Sequence, residues 1–386
     1  MPLIRLPAVW MRGGTSKGLF FDPADLPVDP RQRDALLLRI LGSPDPYATQ
    51  IDGLGGATSS TSKVALVSRS TRPGFDLDYR FGAVDISSPV IDWSGNCGNL
   101  SAAVGMFALC RGLLMAPADG SATIRIWQAN VKETIVAHCP VRDGQPVEEG
   151  EFRLAGVAFP GSLITLDFLD PGGGATVLPT GRPKDRLEVT GWGSIDVSLI
   201  NAGNPTIFMR AADLGLSGSE NRSEFNRDAN LLARCEVIRA HGAVAMGLAA
   251  SPAEATAHRP HTPKLAFIAP AHDYRASDGV TVAANDADLV ARILSMGALH
   301  HAFTGTGAVA LAVAAMLPGT LVWETIANRL TAGDEVRIGH AAGVMVISAT
   351  VAEEQGQWRA EKVTFRRSAR RLMEGWVLAP CDAIQG

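Results

Sequence analysis

Two helices that are apolar on every side constrain the fold of this chain most strongly. The segments are GNCGNLSAAVGMFAL (95–109) and AFTGTGAVALAVAAM (302–316). A helix without a polar face must be surrounded by protein, since a surface helix keeps one polar side. The two segments align with Cys97 against Thr304 and Gly98 against Gly305, which predicts an internal duplication. We therefore expect two similar halves, each built round a buried helix, at about 98–115 and about 305–317.

The rest of the chain reads mainly as short strands separated by Gly and Pro turns, and so predicts an α+β fold. Strands are expected at 123–128, 133–138, 163–168, 187–190 and 197–200. Amphipathic helices are expected at 31–41 and 230–248. A chain of 386 residues with 46% apolar residues exceeds the usual size of one domain. The turn-rich stretch 171–193 places the boundary near 190, which gives halves 1–190 and 191–386.

Composition excludes several classes of protein. The net charge is −4 and no long run of Lys or Arg occurs, so nucleic acid is not expected as a partner. The five cysteines are scattered and lack CxxC spacing, so no metal site is expected. Their scatter fits a reducing compartment and no secretory signal is seen, so we expect a cytoplasmic protein. The apolar stretch 305–323 is interrupted by Pro318 and Gly319, so we expect a buried helix and no membrane span.

Cys97 is the first candidate for chemistry. It stands between Asn96 and Gly98 at the expected start of the first buried helix, where the positive end of the helix dipole favours a thiolate. Such a thiolate can take a proton from carbon, and the flanking glycines leave space for a ligand. The alternative is a small buried hydrophobe, the interpretation that suits Cys110 and Cys235 in apolar helical segments.

Lys63 is the second candidate, because polar residues 59–62 lead directly into an apolar strand at this lysine. An amine removed from water at a strand start can lose its proton and act as a base. A solvated surface lysine explains the sequence equally well. The residues alone leave both interpretations open.

Several further residues are candidates for binding carboxylates. The N–H groups at the two helix starts form anion sites, around Gly98 and Asn99 in the first half and around Gly305 and Thr306 in the second. Hydroxyl, amide and ammonium donors are offered by Thr15, Ser16, Lys17, Ser62 and Asn204. Ordinary turn chemistry accounts for many of these residues as well. The RGGTSKG segment lacks phosphate-loop spacing and no HExxH motif occurs, so nucleotide and metal chemistry are not expected.

Five motifs resemble one known family, the PrpF proteins. They are MRGGTSKG (11–18), GGATSSTSKVAL (55–66), DWSGNCGNLSAAVG (92–105), RIWQAN (125–130) and INAGNPTIF (200–208). The resemblance implies a diaminopimelate epimerase-like fold, with two halves that each wrap a mixed sheet round a central helix and an active site between the helix starts. It also implies that the last strand returns to the first half. Thr304 stands where the epimerases carry a second cysteine, so a two-thiol racemase is not expected.

The resemblance also implies a chemistry. Lys63 and Cys97 match the family's proton-transfer residues, and Lys63 would remove a proton next to the conjugated carboxylates of a small tricarboxylate. The carbanion would rotate about its former double bond and be reprotonated, with its oxyanion held at the helix starts. Thr304, at the second helix start, is expected to bind substrate. No cofactor or metal is implied, and a homodimer is expected. Residues 337–343, RIGHAAG, depart from the HPSG that many relatives carry.

Four functions remain as alternatives. A cis/trans isomerase for 2-methylaconitate or aconitate, serving propionate catabolism through the methylcitrate cycle, is preferred because SSTSK and GNCGNLSAA look closest to PrpF. A 4-oxalomesaconate tautomerase and a methylitaconate isomerase use the same proton abstraction. A tricarboxylate-binding protein without catalysis would keep the fold, but both Lys63 and Cys97 are present.

Overall fold

The computed structural model describes residues 3–326, 330 and 334–380, and the chain forms two compact units. Unit 1 comprises Met1–Leu166 and Arg367–Gly386, and unit 2 comprises Asp167–Arg366. The chain's C-terminal segment thus belongs to unit 1. Residues 167–190, which the sequence assigned to the first half, lie in unit 2. The compact units therefore differ from the halves 1–190 and 191–386, whose boundary stays a prediction.

Among its described residues, unit 1 contains two α-helices and a set of strands that includes Ala369–Pro380. The helices are α1 (Pro30–Leu41) and α2 (Gly98–Cys110). The strands are β1 (Leu3–Gly13), β2 (Ser16–Phe21), β3 (Lys63–Arg69), β4 (Leu77–Val84), β5 (Ile91–Asp92), β6 (Gly120–Gln128), β7 (Glu133–Arg142), β8 (Gln145–Pro146) and β21 (Ala369–Pro380). Strand β9 (Ile164–Leu169) includes the division between the units.

The strands of unit 1 form a mixed sheet in the order β21–β1–β2–β3–β4–β6–β7. The pairs β2–β3 and β4–β6 are parallel, and the other neighbours are antiparallel. Helix α2 contacts β1, β2, β3, β7 and β21, so the sheet curves round the helix. All residues of α2 except Cys110 are buried, as expected for a helix that is apolar on every side.

Unit 2 contains the remaining helices and strands. The helices are α3 (Arg222–Phe225), α4 (Ala229–Ala245), α5 (Pro252–His258), α6 (Gly305–Ala315) and α7 (Leu321–Ile326). The strands are β10 (Asp185–Val189), β11 (Gly193–Ala202), β12 (Asn204–Arg210), β13 (Lys264–Pro270), β14 (Tyr274–Arg275), β15 (Thr281–Val282), β16 (Leu289–Ser295), β17 (Ala298–Leu299), β18 (Glu335–His340), β19 (Gly343–Glu354) and β20 (Gln357–Arg367).

The main sheet of unit 2 repeats the pattern of unit 1. Its order is β10–β11–β12–β13–β16–β18–β19, with β12–β13 and β16–β18 parallel and the other neighbours antiparallel. Helix α6 contacts β11, β12, β18 and β19, and every residue of α6 is buried. The parallel and antiparallel neighbours follow in the same order in both units. The sheet order thus has the internal repeat that the two helical segments predicted.

Both central helices end earlier than the sequence predicted. Helix α2 stops at Cys110 and not near 115, because Gly112 adopts a left-handed conformation with φ 69° and its N–H donates to the carbonyl of Leu109. Helix α6 stops at Ala315 and not at 317, and Gly319 is left-handed with φ 83°. Apolar composition continues past both ends, so it could not mark them.

A membrane-spanning helix was not expected at 305–323. Across residues 3–326, 330 and 334–380, no helix combines the length and apolar composition needed to cross a bilayer. The cytoplasmic location and the homodimer stay predictions from the sequence.

Candidate active site

A tight hairpin between β1 and β2 brings polar residues to the start of α2. Gly13 pairs with Ser16 across the turn, and Gly14 is left-handed with φ 53°. A side chain on Gly13 is excluded, because its Cβ would lie 2.5 Å from the carbonyl oxygen of Asn99. The glycine therefore permits the hairpin to touch the first turn of the helix.

Lys63 and Cys97 lie in direct contact in unit 1. The Nζ of Lys63 donates to Sγ of Cys97 at 3.4 Å, and the two residues are only 4% and 5% exposed. Lys63 is the first residue of β3, and a helical turn at 58–62 precedes it. The Nζ of Lys63 also lies 5.3 Å from the ring centroid of Phe81. The amine and the thiol thus form a pair removed from water, suited to proton transfer.

Cys97 is the N-cap residue of α2. Its Sγ accepts from the N–H of Leu100 at 3.5 Å and lies 4.0 Å from Oγ of Ser16. Gly98 and Asn99 follow in the first turn, where an α-helix leaves its N–H groups without intrahelical acceptors. The thiol therefore sits beside the donors that favour an anion at this position.

Asn99 connects the helix start to the hairpin. Its Nδ2 donates to Oγ1 of Thr15 at 3.1 Å. Arg12 braces the same turn, since its Nη1 donates to the carbonyl oxygens of Gly14 and Ser368 at 3.0 and 2.9 Å. Burial, and then the charge of nearby Arg370, lowers the pKa of Arg12. Thr15 and Asn99, two predicted binding residues, are thus brought together with the Lys63–Cys97 pair at one helix start.

Two buried side chains near Cys97 were missed from the sequence. Arg367 donates from Nε to Oδ1 of Asn99 at 3.2 Å. Burial lowers the pKa of Arg367 to about 9, and a negative charge on Cys97 acts in the opposite direction. Burial first, and then the charge of Cys97, raises the pKa of Tyr79 well above its usual value, so the phenol stays protonated. No local motif marks either residue, because both reach the helix start through the folding of distant strands.

Two predicted binding residues have other contacts in the structure, and their binding roles stay predictions. Successive residues of a strand face opposite sides, so Lys17 does not follow Ser16 towards the helix. Its Nζ lies 5.3 Å from the centroid of the Trp10 ring. The hydroxyl of Ser62 is already used, because it donates to Oε1 of Gln50 at 2.6 Å. Ser62 thus holds the loop before Lys63 in position.

Three of the four predicted residues of unit 2 lie at the start of α6. Thr304 is its N-cap, and Oγ1 accepts from the N–H of Gly307 at 3.2 Å. Gly305 and Thr306 form the first turn and are buried. Asn204 begins β12, and its Nδ2 lies 3.4 Å from Nε2 of His261.

A buried lysine in unit 2 was also missed. Lys264 begins β13 and is 2% exposed, with Nζ 3.0 Å from Nδ1 of His261 and 3.1 Å from Oγ of Ser295. In strand order β13 corresponds to β3, so Lys264 is the counterpart of Lys63. A signal was available, since KVALV (63–67) and KLAFI (264–268) share a lysine before an apolar strand.

The histidines near α6 are held by local contacts. His300 and His301 stack with ring centroids 4.6 Å apart, and Nδ1 of His300 accepts from the N–H of Ala302. The carbonyl of His340, in the RIGHAAG segment, accepts from the hydroxyl of Tyr274 at 2.9 Å. Within the described ranges 3–326, 330 and 334–380, no group of three or more His, Cys, Asp or Glu side chains is arranged to hold a metal ion.

Comparison with known proteins gives consistent matches along the chain. The family described as PrpF protein matches residues 3–380. The 2-methyl-aconitate isomerase of Shewanella oneidensis is 52% identical, and the alignment covers 98% of each chain. The crystal structure of methylitaconate-delta-isomerase matches with a TM-score of 0.76 and 39% identity, covering 100% of this chain and 98% of that one.

A more distant structure supports the fold alone. The hydroxyproline epimerase from Agrobacterium vitis matches with a TM-score of 0.56 and 14% identity, over 97% of this chain and 92% of that chain. The epimerase-like α+β fold predicted from the sequence is therefore confirmed. The matched range agrees with the motifs around Lys63 and Cys97, and the relatives share isomerase names. The chain therefore belongs to the PrpF family.

Proposed function

We propose that this protein is a cofactor-independent isomerase that converts 2-methylaconitate between its trans and cis forms. The observation that carries the proposal is the buried contact between Lys63 and Cys97 at the start of α2. The identity of 52% with a 2-methyl-aconitate isomerase supports this substrate over others. A small tricarboxylate would therefore be the natural ligand.

The proposed reaction begins with the methylene carbon that lies next to both a carboxylate and the double bond. The Lys63–Cys97 pair, carrying one proton fewer than its fully protonated form, takes a proton from this carbon, with Lys63 as the accepting base. The electron pair spreads over the conjugated carboxylates, so the former double bond gains single-bond character and rotates. Return of the proton to the same carbon completes the geometric isomerisation, with no net change in atoms or oxidation state.

The negative charge that develops on the substrate needs donors fixed in advance. The first-turn N–H groups at Gly98 and Asn99 supply them next to the thiol, with Thr15 and Ser16 on the adjoining hairpin. In unit 2, Thr304, Gly305 and Thr306 at the start of α6 and Asn204 at the start of β12 remain proposed binding residues.

Migration of the double bond in methylitaconate is the second candidate function. It is favoured by the structural match at a TM-score of 0.76 to methylitaconate-delta-isomerase. Both reactions begin with the same kind of step, removal of a proton from a carbon next to a carboxylate and a double bond. They differ in the substrate and in the carbon that receives the proton. Return to the other end of the delocalised system would move the double bond.

Proton NMR in D2O tests the proposal directly. Purified protein is incubated with 2-methyl-trans-aconitate and, separately, with methylitaconate and 4-oxalomesaconate, without added cofactor or metal. We expect conversion of the first compound to its cis isomer, with deuterium entering the methylene carbon. Turnover of only one of the other compounds would replace the proposed substrate, and the absence of both isomerisation and exchange would reject isomerase activity on this class.

A pair of cysteine variants tests the site independently of the substrate's identity. Cys97→Ala should lower both turnover and solvent exchange by about a hundredfold, within the usual range for a proton-transfer residue. Cys139→Ala is the matched control, because burial raises the pKa of Cys139 to about 12 and the thiol packs near Gly105, away from the helix start. Equal activities of the two variants would remove Cys97 from the mechanism.

A further inference from the structure

Arg367 is a buried guanidinium at the candidate site with no role in the proposed proton transfer. It is the last residue of β20 and is only 1% exposed, although Arg is one of the residues least often fully buried. Arg367 belongs to compact unit 1, as do Lys63 and Cys97. Burial removes the hydration of a guanidinium. Favourable electrostatic interactions within the protein must offset that loss of free energy.

The contacts of Arg367 lead to the first turn of α2. Its Nε donates to Oδ1 of Asn99 at 3.2 Å, and Nδ2 of Asn99 donates to Thr15 at 3.1 Å. Asn99 lies two residues after Cys97, in the turn that Cys97 caps. The guanidinium is therefore fixed to the helix start and is not free to swing towards solvent.

The charges of Arg367 and Cys97 interact with each other. Burial lowers the pKa of Arg367 to about 9, while a negative charge on Cys97 raises it. A fixed positive charge beside a contacting amine and thiol promotes the loss of one proton from such a pair, and coupled groups in contact lose their protons as a unit.

Other titratable groups on the strands of unit 1 have contacts of their own. Tyr79 stays neutral, because burial and the charge of Cys97 raise its pKa well above the usual value. Arg12 on β1 donates to Gly14 and Ser368, Lys17 on β2 lies over Trp10, and Arg371 on β21 is paired with Glu148. Cys139 on β7 stays a thiol, with its pKa raised to about 12 by burial.

We propose that Arg367 is a positioning residue that sets the pH range in which the Lys63–Cys97 pair is in its reactive, one-proton-short form. It acts through its charge and through its bond to Asn99, which holds the first turn of α2. This inference rests on the proposed proton-transfer pair. It goes beyond that proposal because it assigns the tuning of the pair to a residue from the far end of the chain.

Alkylation of Cys97 by iodoacetamide, measured from pH 5 to pH 10 with mass-spectrometric identification, tests the inference without any substrate. In Arg367→Met we expect the acid limb of the rate profile to move to higher pH by about one unit, since a neighbouring opposite charge typically shifts such a titration by one to three units. Arg367→Lys should restore most of the profile. The control is Arg366→Gln, whose parent residue on the same strand forms an exposed ion pair with Glu335.

Asn99→Ala separates charge from geometry and is the second variant should Arg367→Met not fold. It removes the acceptor of Nε but keeps the guanidinium, so the acid limb should stay in place while isomerisation slows at every pH. An unmoved limb in folded Arg367→Met, or equal shifts in the Met and Lys variants, would overturn the inference. Failure of the protein to isomerise 2-methyl-trans-aconitate would reject the proposed substrate, and the alkylation profiles would still decide the role of Arg367.

Discussion

Lys63 and Lys264 begin corresponding strands of the two units, yet their amines have different partners. In unit 1 the amine of Lys63 meets the thiol of Cys97 at 3.4 Å. In unit 2 the amine of Lys264 lies 3.0 Å from His261 and 3.1 Å from Ser295, while the helix cap is Thr304. The duplicated fold thus places a buried lysine at the same strand start twice. The partner of each lysine differs, and only unit 1 pairs it with the thiol that caps the central helix.

The largest expected contrast is between Lys63→Met and Lys264→Met. Lys63→Met should lower turnover about a thousandfold, within the range for loss of a general base, and leave stability within about 1 kcal/mol because Met fills the buried space. Lys264→Met should reduce turnover less than tenfold. It should cost about 1–3 kcal/mol of stability, because His261 and Ser295 lose a buried partner.

Initial rates with 2-methyl-trans-aconitate and urea unfolding of both variants give the two readouts. Lys362→Met, at an exposed position of β20, controls for loss of a lysine in general. Comparable losses of turnover in the two buried variants would mean that both lysines take part in the reaction. Unit 2 would then contribute a reactive lysine of its own.

The sequence predicted the central helices and their starts because these features are local. A segment that is apolar on every side and follows a Gly-bearing turn favours a buried helix whose first N–H groups are free. Cys97 and Thr304 lie at these helix starts, and the polar-to-apolar change in the sequence marks Lys63 at the start of β3. Their relation to one another within unit 1 follows from the sheet, which no local pattern reports.

The surroundings of Arg367, Lys17 and Ser62 could not be predicted from the sequence pattern, and the binding roles of Lys17 and Ser62 stay predictions. Arg367 meets Asn99 across 268 positions of the chain. Lys17 was expected to act with Ser16, but strand alternation turns its side chain towards Trp10. Ser62 was expected to bind substrate, but its hydroxyl is donated to Gln50 in the preceding loop. Side-chain direction and long-range pairing decide these cases, and neither can be read from residue type.

Gly13 and Gly203 are expected to differ in how much an added Cβ lowers the free energy of unfolding. Gly13→Ala should cost about 2–3 kcal/mol, because the new Cβ would lie 2.5 Å from the backbone oxygen of Asn99 and neither backbone can yield easily. Gly203→Ala should cost about 3 kcal/mol, because its φ of 65° adds strain to a Cβ placed 2.9 Å from Val309.

Urea unfolding of both variants checks these values. Gly215→Ala is the control, since Gly215 has a φ of 73° but no atom within 4 Å of the added Cβ, so it isolates the backbone strain at about 1 kcal/mol. A cost for Gly13→Ala no larger than that of the control would mean that the hairpin moves away from α2 without penalty. The stability of unit 1 would then not depend on the close approach of the hairpin to α2.

The smallest expected contrast is between the two helix caps. Thr304→Ala should cost about 1 kcal/mol, the usual value for loss of a hydroxyl cap, because Oγ1 accepts from Gly307 at 3.2 Å. Cys97→Ala should cost less than about 0.5 kcal/mol, since sulfur is a weak acceptor and the N–H of Leu100 is 3.5 Å away. Urea unfolding measures both, with Thr304→Ser as the control that keeps the hydroxyl. A cost for Cys97→Ala that matched Thr304→Ala would make the thiol an ordinary structural cap. The expected difference instead means that unit 1 gives up part of the stability a hydroxyl cap would provide and gains a group that can exchange a proton with Lys63.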